Sequence, residues 1–129
     1  MKFVIIILCC IAAVSIDCLT DAYIARIKSL VDQCQANPTT RVPDEWLDLK
    51  VLEKNAEQAG PHILCRLQKL GTIKENGDVD AAALRKDLLD AFEDPTKVDK
   101  AVTKCARREP NWSAEKTAIE NFKCVLNFN

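Results

Sequence analysis

The sequence predicts an all-α protein, a compact bundle of about six helices. Apolar residues recur with a period of about 3.6 residues along most of the chain, as on one face of an amphipathic helix. Proline, glycine or an N-cap residue stands at each interruption of that period. No stretch alternates apolar and polar residues between hairpin turns, so no β-strand is predicted.

The first predicted helix runs from Leu19 to Gln35, and either Thr20 or Asp17 can cap its N-terminus. Asn37-Pro38 ends it, because proline disfavours helical geometry in the residue before it. Pro43 opens a short second helix, since proline fits the first helical turn. The predicted buried side of this second helix consists of Trp46, Leu49 and Leu52.

Glycines delimit the third predicted helix, which starts at Gly60-Pro61 and ends at Gly71. A polar turn over residues 74–78 then leads into a fourth helix from Val79 to Phe92. The apolar stripe of the third helix consists of Ile63, Leu64, Leu67 and Leu70.

The last two predicted helices have clear starting signals. Asp94-Pro95 opens the fifth helix, which extends to Cys105, and Ser113 is placed to cap the sixth. Only a short tail follows the sixth helix, so we expect no long C-terminal segment to enter the interior.

Residues 1–15 have the features of a secretory signal peptide. Lys2 supplies a positive charge, a 12-residue apolar run extends from Phe3 to Val14, and Ala13-Val14-Ser15 offers small residues at a cleavage site. A run of this length is too short to span a bilayer, which needs about 20 residues. We therefore predict a secreted, extracellular protein whose mature part is one domain over residues 16–129.

The charge balance argues against two classes of partner. The whole chain has a net charge of −1, and without Lys2 it carries 17 basic and 19 acidic side chains. No basic stripe with interleaved aromatic residues occurs, so nucleic acid is not an expected partner. An anionic membrane surface is excluded on the same ground, and no later apolar segment is long enough for stable membrane insertion.

Four cysteines of the predicted mature domain, Cys34, Cys65, Cys105 and Cys124, are separated by 30, 39 and 18 residues. Metal knuckles need cysteines only a few residues apart, so no metal site is predicted. The spacing suits two disulfides in an oxidising compartment, and three pairings are possible. Cys18 is left over as a free thiol, an intermolecular bridge or part of a leader that is cleaved later.

The sequence contains no recognisable catalytic or cofactor-binding constellation. His62, the only histidine, lacks an activated nucleophile and an orienting group, and it is predicted at the surface or at a pH-sensitive pocket rim. Residues 76–80 superficially resemble a calcium loop, but the acidic first ligand and the bidentate glutamate are missing. We therefore predict a protein that is not an enzyme and uses no cofactor.

One modification site and many apolar side chains remain to be explained. Asn111 heads the sequon Asn111-Trp112-Ser113, which is a candidate N-glycosylation site and is expected in a surface loop. The apolar helix faces either fill a core or line a cavity. Periodicity alone favours a core, because an apolar stripe on a helix usually packs against neighbouring elements.

The cysteine spacing and two segments resemble the insect odorant-binding protein family (PBP/GOBP-like). The segments are residues 65–80, which contain CRLQKLG and ENGDVD, and residues 122–125, FKCV. Family members carry six cysteines, and the four bridging candidates here match the first, third, fourth and sixth in spacing. The missing pair, which is bonded together in the family, falls at Pro61 and Glu115. The chain therefore resembles the four-cysteine subgroup called Minus-C.

The resemblance implies both a fold and a function. Six helices are expected to enclose an apolar cavity and to be joined by the disulfides Cys34–Cys65 and Cys105–Cys124. The implied function is that of a secreted carrier, which transports small hydrophobic ligands such as odorants, pheromones or other lipophiles through aqueous fluid. An olfactory receptor, or a dimer partner bridged through Cys18, is the further partner to consider.

Residues for the expected pocket are chosen from helix faces and not from motifs. The predicted apolar lining consists of Ile27, Leu52, Ile63, Leu67, Leu84, Leu88, Phe92, Val102, Phe122 and Val125, with Phe128 as a lid. His62, Tyr23 and Trp112 are the candidates for a polar contact. Because no bridge joins positions 61 and 115, we expect a more deformable pocket that accepts a wider range of ligands.

Three other functions are compatible with parts of the sequence. The same fold suits a non-olfactory carrier of haemolymph, saliva, venom or seminal fluid, which tissue of expression would distinguish. A saposin-like lipid-interacting protein is a less favoured alternative, since its cysteines would be spaced differently. A secreted phospholipase would need a calcium loop and a His-Asp pair, and neither is found in the sequence.

Overall fold

The computed structural model of the protein describes residues 20–128. The predicted signal peptide over residues 1–15, the alternative cap Asp17, the Cys18 thiol and the predicted helix start at Leu19 lie outside the described residues.

Helices account for all the regular secondary structure in residues 20–128, which confirms the all-α prediction. They are α1 (Asp21–Ala36), a 3-10 helix (Asp44–Leu47), α2 (Leu49–Lys54), α3 (Gly60–Leu70), α4 (Ala81–Ala91), α5 (Pro95–Cys105) and α6 (Ala114–Leu126). Within this part of the chain none of the helices is long and apolar enough to cross a membrane.

Thr20, Ser113 and Gly71, which were predicted to start or end helices, do so in the structure. Thr20 accepts a hydrogen bond from the backbone N–H of Tyr23 at 3.1 Å, and Ser113 accepts one from Lys116 at 3.0 Å. Helix α3 ends at Gly71, whose φ of 82° lies in the left-handed region that favours glycine. Local sequence therefore determines these boundaries.

Asp48 divides the predicted second helix into two parts. It adopts an extended conformation after the 3-10 helix, and its side chain accepts hydrogen bonds from the N–H groups of Lys50 and Val51. The prediction of one short helix was wrong, because an aspartate that caps a new helix competes with continuation of the preceding one.

Helix α4 starts at Ala81 and not, as predicted, at Val79. Asp80 is its N-cap and accepts a hydrogen bond from the N–H of Ala83 at 3.0 Å. Val79 instead forms an isolated antiparallel bridge with Ile73. The intervening turn is possible because Gly77 has a φ of 93°.

Two apolar clusters hold the helices together. Cluster A joins α2, α3 and α6 and consists of Val42, Leu52, Ala56, Ala59, Ile63, Ile73, Ala118, Ile119 and Phe122. Cluster B joins α4 and α5 and consists of Leu84, Leu88, Val98 and Ala101. Each large aliphatic side chain buried in them contributes about 1.5–3 kcal/mol. Helices α3 and α6 share the most extensive contact between helices.

Both disulfides form with the pairing implied by the family resemblance. Cys34–Cys65 joins α1 to α3, and Cys105–Cys124 joins α5 to α6. The bridges close loops with sequence separations of 31 and 19 residues, and each restrains the unfolded chain and so stabilises a small domain.

Candidate ligand-binding site

Helix α1 differs from the other long helices because its apolar face belongs to neither cluster. Ile27, Leu30 and Val31 are only half-buried, and Cys34 is the one buried residue of the helix. Ile24, on the outer side, is 49% exposed. Helix α1 packs against α3, but Ile27, Leu30 and Val31 are members of neither cluster A nor cluster B.

A polar cluster ties α1 to α4 at this place. Asp87 of α4 is 8% exposed, and Arg26 donates to its Oδ1 atom through Nη2 at 2.6 Å. The Tyr23 hydroxyl donates to Asp87 Oδ2 at 3.2 Å, and Arg26 also contacts Asp90 at 3.3 Å. A buried carboxylate is thus compensated by a cation and a hydroxyl from the facing helix.

Burial governs the ionisation of this cluster. It raises the pKa of the Asp87 carboxyl, and Arg26 together with the Tyr23 hydrogen bond opposes part of that rise. Burial and then the Asp87 charge raise the pKa of the Tyr23 hydroxyl. Tyr23, one of the residues predicted as a polar contact for a ligand, therefore stays protonated. Its hydroxyl donates to Asp87.

His62 lies on α3 with none of its surface exposed. Its Nδ1 atom is 3.0 Å from the carbonyl oxygen of Thr40, which can only accept, so Nδ1 carries the proton. Burial and then the charge of Arg66 lower the pKa of the ring, which is consequently neutral. The Nε2 atom is left as a buried acceptor without a partner.

The expectation of a surface or rim histidine was therefore wrong. His62 shares the inner face of α3 with Ile63 and Arg66, and the Thr40 carbonyl satisfies one of its ring nitrogens. A satisfied nitrogen reduces the cost of burying an imidazole, which the sequence alone does not reveal.

Arg66 follows His62 by one helical turn and points the same way. Its side chain is half-buried, and its Nη1 atom is buried without a hydrogen-bond partner. Burial lowers the pKa of the guanidinium, and Tyr23 opposes that lowering. Within residues 20–128 no carboxylate forms an ion pair with Arg66. Since a guanidinium remains charged in proteins, this is an uncompensated cation.

Sequence reasoning missed Arg66, although a signal for it existed. The residue stands four positions after His62 and four before Leu70, so helical spacing places it on the face that carries Ile63. A charged residue in the middle of an apolar stripe departs from the amphipathic pattern. This departure indicates a charged side chain on the inner face of the helix.

The predicted lining residues divide between the clusters. Leu52, Ile63 and Phe122 are in cluster A, with the half-buried Leu67 packed against it. Leu84 and Leu88 are in cluster B, and half-buried Phe92, Val102, Val125 and Phe128 pack against it. Ile27 is half-buried on α1. Whether these residues contact a ligand remains a prediction.

Two further predicted residues lie near the start of α6. Trp112 is half-buried, and the Arg107 guanidinium lies 5.3 Å from the centroid of its ring, which is a cation–π contact. Asn111 is exposed in the loop before α6, where the sequon was expected. Its glycosylation remains a prediction.

A surface depression of about 890 Å³ lies beside the Cys34–Cys65 bridge. It contains both positions at which the family's further cysteines would stand, Pro61 and Glu115. None of the predicted pocket residues lines it, and the charged side chains Lys69, Lys74 and Glu75 do. Because it is open to solvent and charged side chains stand among its lining, it cannot enclose an apolar ligand.

Within residues 20–128 no three histidine, cysteine, aspartate or glutamate side chains are grouped so that they could hold a metal ion.

The family model for the PBP/GOBP family matches residues 17–127, almost the entire chain. The chain belongs to this family, the insect odorant-binding proteins. The family consists of binding proteins for small hydrophobic ligands and not of enzymes, and its members are secreted.

A solved structure supports the same fold. The chain is similar to the fatty acid binding protein OBP56a from the oral disk of the blowfly Phormia regina, with a TM-score of 0.57 and 24% identity over 82% of this chain and 90% of that one. No curated protein matches the chain in sequence.

Proposed function

We propose that this odorant-binding protein is a secreted carrier that holds small hydrophobic ligands between α1 and the faces of α3, α4, α5 and α6. Family membership supports the function. The inner face of α1 supports the location, because Ile27, Leu30 and Val31 face inward without joining cluster A or cluster B.

Half-buried side chains on the facing helices supply an apolar surface for such a ligand. They are Leu67 of α3, Phe92 at the end of α4, Val102 of α5 and Val125 of α6. An apolar pocket gives affinity by removing ligand surface from water, at about 25 cal/mol per Å². Phe128, which follows α6 and contacts cluster B, is the proposed lid.

The signal-peptide pattern over residues 1–15 and the two disulfides support secretion. An olfactory role is one of two candidate roles for this carrier. The structurally similar blowfly protein binds fatty acids and comes from the oral disk, which favours a non-olfactory carrier as the second candidate. Odorants and pheromones on one side, and fatty acids on the other, are therefore the ligand classes to compare.

The test is displacement of the apolar fluorophore N-phenylnaphthylamine from the oxidised protein by volatiles and fatty acids. Micromolar displacement by several ligands is the expected result. No binding of the fluorophore, with both disulfides intact, would show a filled interior. Leakage from lipid vesicles on addition of the protein would instead favour the saposin-like alternative.

Two isoleucines of α1 provide a matched pair of variants for the location. Ile27→Trp adds bulk on the inner face and is expected to weaken fluorophore binding about tenfold or more, because overfilling a pocket costs about 1–3 kcal/mol. Ile24→Trp makes the same change at a residue that is 49% exposed, and it should leave binding unchanged. Equal effects of the two variants would contradict the proposed location.

A further inference from the structure

Arg66, whose side chain is half-buried, carries a positive charge that no carboxylate among residues 20–128 pairs with, next to the proposed ligand space. Its Nη1 atom has no hydrogen-bond partner and is inaccessible to bulk water. Leaving such a donor unsatisfied costs more than an ordinary hydrogen bond contributes. An unsatisfied buried group of this kind calls for a partner that the described residues do not provide.

The polar groups near Arg66 are either committed elsewhere or of unsuitable chemistry. The Asp87 carboxyl is occupied by Arg26 and the Tyr23 hydroxyl, at 2.6 and 3.2 Å. Tyr23 donates its proton to Asp87 and makes no hydrogen bond to Arg66 among residues 20–128. His62 Nε2 is an acceptor, yet it too is unpartnered, so Arg66 does not donate to it.

We infer that Arg66 is a specificity-determining residue, whose guanidinium binds the carboxylate of a ligand that carries a single acid group on an apolar chain. This inference rests on the carrier function proposed above and assigns a ligand class to the same site. A guanidinium presents parallel N–H donors that match the two oxygens of a carboxylate.

The charges around the site favour one negative charge and not two. Arg26 is already paired with Asp87 and Asp90, so among the described residues near α1 Arg66 is the cation available to neutralise a ligand. His62 is neutral and cannot contribute a second positive charge. A phosphate monoester, with close to two negative charges at neutral pH, would leave one uncompensated in a poorly hydrated space.

The remainder of the ligand would lie along apolar side chains. Leu70 follows Arg66 by one turn of α3, and Ile27 faces inward from α1. A neutral head group such as an alcohol lacks the charge that Arg66 needs, although its hydroxyl could donate to His62 Nε2. The acid and the alcohol of equal chain length should therefore be distinguished by Arg66.

The experiment compares dodecanoate, methyl dodecanoate and dodecanol as displacers of N-phenylnaphthylamine, at about pH 7.5, above the usual pKa of a carboxylic acid. The wild-type protein is expected to prefer dodecanoate to its methyl ester. Arg66→Met should weaken dodecanoate binding by roughly tenfold to a hundredfold, which is the effect of losing a charge-assisted hydrogen bond. Binding of the ester and the fluorophore should change little.

Two controls separate charge from structure. Arg66→Lys keeps the charge without the planar fork, so part of the preference for the acid should return. Arg85→Met removes an exposed guanidinium that is paired with Asp99 at 2.7 Å, and it should leave all three affinities unchanged. Circular dichroism and thermal unfolding confirm that each variant is folded.

The outcomes distinguish this inference from the carrier function. Equal affinity of the wild type for dodecanoate and its ester would overturn the role of Arg66 while leaving the carrier function intact. A parallel loss of acid, ester and fluorophore binding in folded Arg66→Met would also overturn it, because the residue would then only support the pocket. Failure of the wild type to bind any of the four compounds would overturn both proposals.

Discussion

The contact between α3 and α6 and the contact between α1 and α4 are built on different principles. The first is a dry apolar interface, in which Ile63, Ile119 and Phe122 of cluster A are between 1% and 9% exposed. The second depends on Asp87 and its bonds to Arg26 and Tyr23, with half-buried apolar residues beside it.

Apolar packing and polar bonds differ in how completely they fill the volume between two helices. Dispersion and hydrophobic contacts contribute only when atoms touch, so cluster A is closed around its members. A hydrogen-bonded ion pair fixes two helices at one point and does not require the surface beside it to be filled. A protein that needs both a stable core and room for a ligand can combine the two kinds of contact, and this molecule contains both.

Isoleucine-to-alanine variants offer the strongest test of this comparison. Ile63→Ala, in cluster A, is expected to lower the free energy of unfolding by about 2–5 kcal/mol through lost burial and a cavity. Ile27→Ala, on the half-buried face of α1, should cost about 1 kcal/mol. Ile24→Ala, at an exposed position, should stay within about 0.5 kcal/mol. Urea denaturation measures all three, and equal costs at Ile63 and Ile27 would refute the distinction.

Restoring the bridge that the family carries at positions 61 and 115 is expected to have a smaller effect on stability. Helices α3 and α6 already pack without it. The two segments are in close contact at this point, since a side chain added at Gly60 would collide with that of Glu115. Pro61→Cys with Glu115→Cys should therefore raise the unfolding free energy by about 2 kcal/mol or less.

The same double variant tests the adaptability of the pocket. With the bridge oxidised, the range of displacing ligands should become narrower than in the wild type, and reduction should restore it. An unchanged range would show that adaptability comes from α1 and not from α3 and α6. Single-cysteine variants at each position control for the loss of proline and of the glutamate charge.

Titration of His62 is expected to give the smallest effect. Above about pH 6.5 the ring is neutral in both the folded and the unfolded chain. As the pH falls below that value, the unfolded chain takes up a proton first, because burial lowers the pKa of His62 in the folded protein. Stability should therefore decrease towards acid pH, by at most about 1.4 kcal/mol per pH unit for one proton.

His62→Gln isolates this contribution, since the chain has a single histidine and glutamine retains a donor for the Thr40 carbonyl. The difference between the unfolding free energies of wild type and variant should shrink or change sign as the pH falls from about 7.5 to 5. The raised pKa of Asp87 acts in the opposite sense, with stability falling as pH rises, but it is common to both proteins and cancels. A difference independent of pH would exclude His62 as the titrating group.

Much of the fold could be predicted because its signals are local. An N-cap side chain such as Ser113 bonds to backbone within the same turn, and a glycine such as Gly71 is selected by its own φ. Such interactions depend on a few neighbouring residues and therefore can be read directly from the chain. The break in the second predicted helix is also a local signal, because Asp48 caps a new helix there. The prediction was wrong since this capping role of Asp48 was not considered.

The disulfide pairing required more than local information. Spacing alone left three pairings open, and the family resemblance selected the one that the structure contains. Similarly, the apolar stripes predicted which helix faces are inward, but they did not divide them between cluster A and cluster B.

By itself, the sequence determined most of the helices, several of their ends and the cysteines available for bridging, because these follow from interactions within one or two turns. Only the tertiary structure decided that His62 is buried against Thr40, that Asp87 is paired with Arg26 and that Arg66 Nη1 has no hydrogen-bond partner among residues 20–128. A polar side chain is stabilised or isolated by groups distant in the sequence. Its environment is therefore set by how the helices pack, and so is that of the candidate ligand site.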